Sequence, residues 1–162
     1  MKYFILRPHP YFSESFRLDG WQEVITPKWI CMEEFYKTPR RCVISASMGE
    51  FTPFPDIVTV PFLLISRLMA EVAEMYGEPV FKRHVNIINE RHTQSRHYHL
   101  ILPEAIGHGS ALLGESHLFY MNIDKQKELV VSQDYAESIL RRGAVGIALK
   151  EWDMKEGRHD GK

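Results

Sequence analysis

The stretch ELVVSQDYAESILRRGAVGIALKEW, residues 128–152, carries its own punctuation. Leu129, Val130 and Val131 form a short apolar, β-branched run. Ser132 can accept a backbone N–H at a helix start, and residues 133–142 then read as one compact helix. Asp134 in the first turn and Arg141 and Arg142 in the last suit the two ends of the helix dipole. Gly143 supplies the left-handed conformation that ends such a helix. Beyond it Val145, Ile147 and Leu149 alternate with Gly146, Ala148 and Lys150, the period of a strand packed on one face. The unit is strand, capped helix, strand.

A second helix is signalled over residues 67–76, with Ser66 as its N-cap, Gly77 as its stop and Pro79 just beyond. Ile65, Leu68, Met69, Val72 and Tyr76 fall on one apolar stripe, and Glu71, Glu74 and Glu78 fall on another face as an expected acidic ridge. Between the two helices the pattern changes to period two. Val85 and Ile87 alternate with His84 and Asn86, and Tyr98, Leu100 and Leu102 alternate with His97 and His99, with residues 90–96 as a polar hairpin loop. Phe119, Met121 and Ile123 alternate again, residues 124–127 form a charged turn, and the chain returns at Leu129.

Together with a first strand at Tyr3 to Leu6, these elements predict one α+β domain with a mostly antiparallel sheet and at least two packed helices. The domain spans residues 1–154, irregular over 1–60 and regular over 61–154, with a charged tail at 155–162 expected to fray. No internal repeat or linker is legible. Prolines at 8, 10, 27, 39, 53 and 55 break the first part into short pieces. Aromatic residues are dense there, including Tyr11, Phe12, Phe16, Trp21, Trp29, Phe51 and Phe54. They either pin loops onto the core or form a binding surface, and Trp21, Trp29, Phe51 and Phe54 are the candidates for the second role.

Composition narrows the function classes. The chain has 162 residues, 44% of them hydrophobic, which suffices for a core without metal or disulfide staples. Twenty lysines and arginines against 21 aspartates and glutamates argue against nucleic-acid binding through bulk charge, although Lys82, Arg83, Arg91 and Arg96 make one region locally basic. No apolar run is long enough for a membrane span, and the one near the N-terminus is too short for a signal peptide, so a cytoplasmic location is expected. Cys31 and Cys42 lack metal-ligand spacing and are expected as a reduced, structural pair.

Six of the eight histidines, His84, His92, His97, His99, His108 and His117, fall between residues 84 and 117. His97-x-His99 on a strand puts two imidazoles on one face, and a hairpin register setting His84 opposite His99 brings three together. These three are the candidate metal ligands. No acidic residue lies inside those strands to complete a site, so no metal or other cofactor is expected. The nucleophile-elbow, phosphate-loop and dinucleotide-loop motifs are missing, and no catalytic constellation emerges.

The succession Phe62-Leu63-Leu64-Ile65-Ser66 opening a helix, Pro79-Val80-Phe81 entering a strand, His97-Tyr98-His99-Leu100-Ile101-Leu102, Leu129-Val130-Val131-Ser132, and Gly143 before Val145-Gly146-Ile147-Ala148-Leu149 resembles a family of immunity proteins of bacterial polymorphic toxin systems. The likeness covers roughly residues 60–152, and residues 11–59 fall outside it. It implies a non-catalytic protein that binds and blocks a cognate toxin, often with charge opposite to the toxin's. The family supplies no motif-matched functional residues. Glu71, Glu74, Glu78, Trp21, Trp29, Phe51 and Phe54 are therefore the expected toxin contacts from this sequence itself. The alternatives are a metal- or histidine-dependent enzyme built on the His84 to His117 cluster, and a regulatory interaction domain. Homo-oligomerisation is left open.

Overall fold

The apolar run near the N-terminus forms β1 (Tyr3–Pro8), which lies inside a sheet rather than at its margin. In the computed structural model, which describes residues 1–79 and 81–153, it is followed by α1 (Tyr11–Ser15), β2 (Phe16–Asp19), β3 (Arg41–Met48), β4 (Ile57–Val58), β5 (Leu64–Ser66) and α2 (Arg67–Met75). Then come β6 (Phe81–Asn89), β7 (Gln94–Leu102), β8 (Leu118–Ile123), β9 (Gln126–Ser132), α3 (Gln133–Arg141) and β10 (Ile147–Trp152). The fold is α+β, but it has two sheets: β10-β1-β9-β8, and β2-β3-β6-β7-β5-β4. Every pairing between strands is antiparallel except the parallel pair β3 and β6.

Both helices begin at their expected serine caps and run nine residues, ending at Met75 and Arg141, one residue before the expected 76 and 142. The Met69 N–H donates to Ser66 Oγ at 3.4 Å and the Tyr135 N–H to Ser132 Oγ at 3.1 Å, satisfying donors that a helix leaves free. At the other ends the Gly77 and Glu78 N–H groups donate to the carbonyls of Glu74 and Ala73, and Gly143 and Ala144 donate in the same way to Leu140 and Ile139. Gly77 and Gly143 take the left-handed φ of 70° and 81° that this closure requires.

The two helices belong to matching units. In one, α2 joins β5 to β6 with β7 paired between them; in the other, α3 joins β9 to β10 with β1 between them. Each is a split strand–helix–strand arrangement. This structural repetition was not legible as a repeat, because few side chains recur beyond the caps, the closing glycines and Glu71 with Glu137.

One core joins the two units: Ile65, Met69, Val72 and Ile101 meet Leu6, Val131, Tyr135 and Ile139. The Tyr135 hydroxyl donates to the Met69 carbonyl at 2.9 Å, and Tyr76 Oη lies 2.8 Å from Ser138 Oγ. The outer face of the six-stranded sheet carries a second core, where Phe16, Ile44, Val85, Ile87, Tyr98 and Leu100 pack with Ile25, Phe35 and Phe62. The outer face of the four-stranded sheet carries a third, with Tyr3, Phe119, Val130 and Trp152 under Ile106.

Several expectations are corrected. Residues 1–60 do contain 3-10 turns at Trp21–Glu23, Pro27–Trp29 and Phe35–Lys37, but they also supply four strands. Turn-forming prolines obscured how much of this part pairs with sheets. The hairpin between β6 and β7 is tighter than its polar composition suggests, because Gln94, Ser95 and Arg96 are already in the ladder opposite Asn89, Ile88 and Ile87. The last strand begins at Ile147 because Val145 and Gly146 are held elsewhere.

The Gly146 carbonyl accepts the His9 N–H, and Val145 is held by Asp56, 1% exposed. Arg96 Nη2 donates to its Oδ1 at 2.7 Å, the Val145 N–H donates to its Oδ2 at 2.6 Å, and Arg96 Nη1 reaches the Phe54 carbonyl at 2.7 Å. The Asp56 backbone takes part as well, donating to the Val145 carbonyl and accepting from the Ser66 N–H. One carboxylate thus ties both units together. Gly146, at φ 74°, passes so close that an added Cβ would lie 2.7 Å from Pro55 Cβ. The tail at 155–162 lies outside the described residues.

Candidate functional site

Two places combine exposure with unusual side-chain chemistry. The first is an open groove of about 500 Å³ beside the seam of the two sheets. α1, β2, the turn after it and the segment before β5 supply its walls: Phe12, Phe16, Leu18, Trp21, Pro55 and Val60. Trp21 is fixed edge-on against Phe62, with ring centroids 5.9 Å apart, and Phe16 is braced in the same manner by Phe54. Val60 stands 78% exposed at the lip. Pro8 and Thr59 border both this groove and a more polar one of about 460 Å³ holding the Arg7 and Glu128 pair.

Of the four aromatic candidates, Trp21 lines this groove. Phe51 is 92% exposed but sits on the turn after β3, away from the groove wall. Trp29 is half-buried in its own 3-10 turn, and Phe54 packs into the core. Phe12 and Phe16 were in the aromatic-rich stretch, but only tertiary folding brings them beside Trp21.

The acidic ridge is not continuous. α2 ends at Met75, and Gly77 turns the chain so that Glu78 leaves the helix face; its carboxylate accepts the His117 backbone N–H. Glu71 pairs with Arg67 at 2.9 Å, and Glu74 is exposed. His117 stacks on Tyr76 and places Nδ1 2.7 Å from Ser132 Oγ. This pair resembles a nucleophile and its base, but Ser132 is 0% exposed and its oxygen caps α3. Its role is structural. Cys31 and Cys42 are free thiols, and burial raises the pKa of Cys42.

The second place is the histidine cluster, and here the conditional register is observed: His84 pairs directly with His99, and His97 pairs with Asn86. Alternation puts all three imidazoles on the sheet face that bears α2. One nitrogen from each ring lies within 4.8 Å of the others, and His84 Nδ1 is 2.9 Å from His97 Nε2. His99 is 6% exposed, and its Nδ1 has no hydrogen-bond partner. Burial, then the neighbouring His97 and His84 with Lys82 and Arg67, pushes its pKa down to about 4; burial and His84 lower that of His97 as well. His99 is therefore neutral at pH 7. His108 lies apart, against Trp152.

No protein-family model matches this chain, and no curated protein matches it.

Proposed function

We propose that the chain is a non-catalytic binding protein that neutralises a cognate bacterial toxin domain by covering it. The observation that carries this reading is the groove at Trp21. It is concave, walled by rigidly packed aromatic and proline side chains, and flanked by the exposed Val60, which suits it to receive an apolar anchor from a protein partner. Phe51 adds an exposed aromatic side chain for contact, and Glu71 and Glu74 give α2 an acidic rim for a basic toxin surface.

The test is co-expression with the C-terminal domain encoded by the adjacent upstream gene, followed by growth scoring and measurement of affinity for the purified complex. Rescue of growth with a stable complex is expected. Trp21→Ala should then weaken binding by about 30-fold or more, the scale of an interface hot spot. A harmless upstream product, or one that does not bind, removes the toxin assignment. Unchanged affinity for a folded Trp21→Ala variant removes the groove from it.

A further inference from the structure

We propose that His84, His97 and His99 bind a divalent first-row transition metal ion, with zinc the best match, and that an anion completes the coordination. Three imidazoles without carboxylate or thiolate are a borderline-soft donor set that suits zinc, copper or nickel better than magnesium or calcium.

The geometry is close to what a metal requires. Two imidazole nitrogens on tetrahedral zinc, each about 2.0–2.1 Å from the ion, stand roughly 3.3–3.4 Å apart. The cluster brackets that value, with 2.9 Å between His84 and His97 and all three donors within 4.8 Å. The Cα positions are fixed by the β6 and β7 ladder, so small side-chain rotations of half-buried His84 and His97 suffice. The proton now shared between those rings moves to an outer ring nitrogen, and both stay neutral.

A second observation points to a missing partner. His99 is 94% buried, yet its Nδ1 is one of two buried side-chain polar atoms without a hydrogen bond among the described residues. A polar atom buried in this way is costly unless something satisfies it. Coordination by one ring nitrogen fixes the proton on the other, so an ion held at His99 Nδ1 would satisfy the atom that otherwise lacks a partner. His84 and His97 remain partly exposed, which leaves a path for the ion and room for a fourth ligand. Arg41, Arg67 and Lys82 act electrostatically on the cluster. Their charge opposes a bare cation and favours hydroxide, chloride or a partner's carboxylate in the fourth position.

The experiment uses the full chain without a histidine tag, stripped with chelator and dialysed. Zinc is titrated calorimetrically, and cobalt is followed by visible absorption. One equivalent of zinc binding with a dissociation constant below about 10 μM is expected, with an intense cobalt band typical of four-coordinate geometry. His84→Ala and His97→Ala, each checked for native circular dichroism, should weaken zinc binding at least about 10-fold. His108→Ala should leave it unchanged. Absence of saturable binding, wild-type affinity in both folded cluster variants, or an equal loss in His108→Ala would overturn the site.

Discussion

The unit β5-α2-β6 and the unit β9-α3-β10 share a serine cap, a nine-residue helix, a glycine closure and one antiparallel strand inserted between the joined pair. They differ in what lies beyond. The second unit ends its sheet at β10, whereas the first continues past β6 into β3 and β2. The histidine cluster lies on β6 and β7, on the side of the unit from which that extension continues. The comparison teaches that the repeated motif builds the core, while the histidine chemistry belongs to the copy whose sheet is extended.

Breaking the tie between the units should have the largest effect. Asp56→Ala leaves Arg96 and the Val145 N–H without their shared acceptor and should destabilise the fold by about 3 kcal/mol, measured by denaturant unfolding. Gly146→Ala should cost roughly 3 kcal/mol, because it combines a left-handed backbone with a 2.7 Å approach to Pro55. Gly77→Ala is a control with the same hand and open space around it, and about 1–2 kcal/mol is expected.

Acid should act selectively on the first unit. His99 has a folded pKa near 4, below its unfolded value, so the unfolded chain binds the extra proton first. The metal-free protein should keep its full stability above about pH 6.5 and lose on the order of 2–3 kcal/mol as pH falls toward 4. His84 and His97 on the sheet, with Lys82 and Arg67 nearby, all oppose charging of His99. His99→Gln should flatten that part of the stability profile. The smallest effect is the difference between caps. Ser66→Ala should cost about 1 kcal/mol and Ser132→Ala somewhat more, since Ser132 also pairs with His117.

Local chemistry was readable in the sequence. Ser66, Ser132, Gly77 and Gly143 act within a few residues of themselves, and their roles follow from backbone donors that every helix must satisfy. The pairing of His84 with His99 was readable as a condition, because alternation fixes faces even when register is open. Long-range pairings were not. Nothing near Arg41 announces a parallel neighbour in β6, and nothing near Tyr3 announces that β1 will separate β9 from β10. Glu78 matched the helical spacing of Glu71 and Glu74, but Gly77 ended the helix first. Trp21 was readable as a candidate, whereas its groove depends on Pro55 and Val60 arriving from a distant segment.

The placement of β1 also sets an order of events during synthesis. All strands of the six-stranded sheet lie between Phe16 and Leu102, so that sheet has its complete set of partners once that span leaves the ribosome. The four-stranded sheet does not: β1 emerges before it and then waits for β9 and β10, more than a hundred residues later. Its ladder edges stay unpaired throughout that interval, making the N-terminal strand the part of a nascent chain most in need of shielding from neighbouring chains.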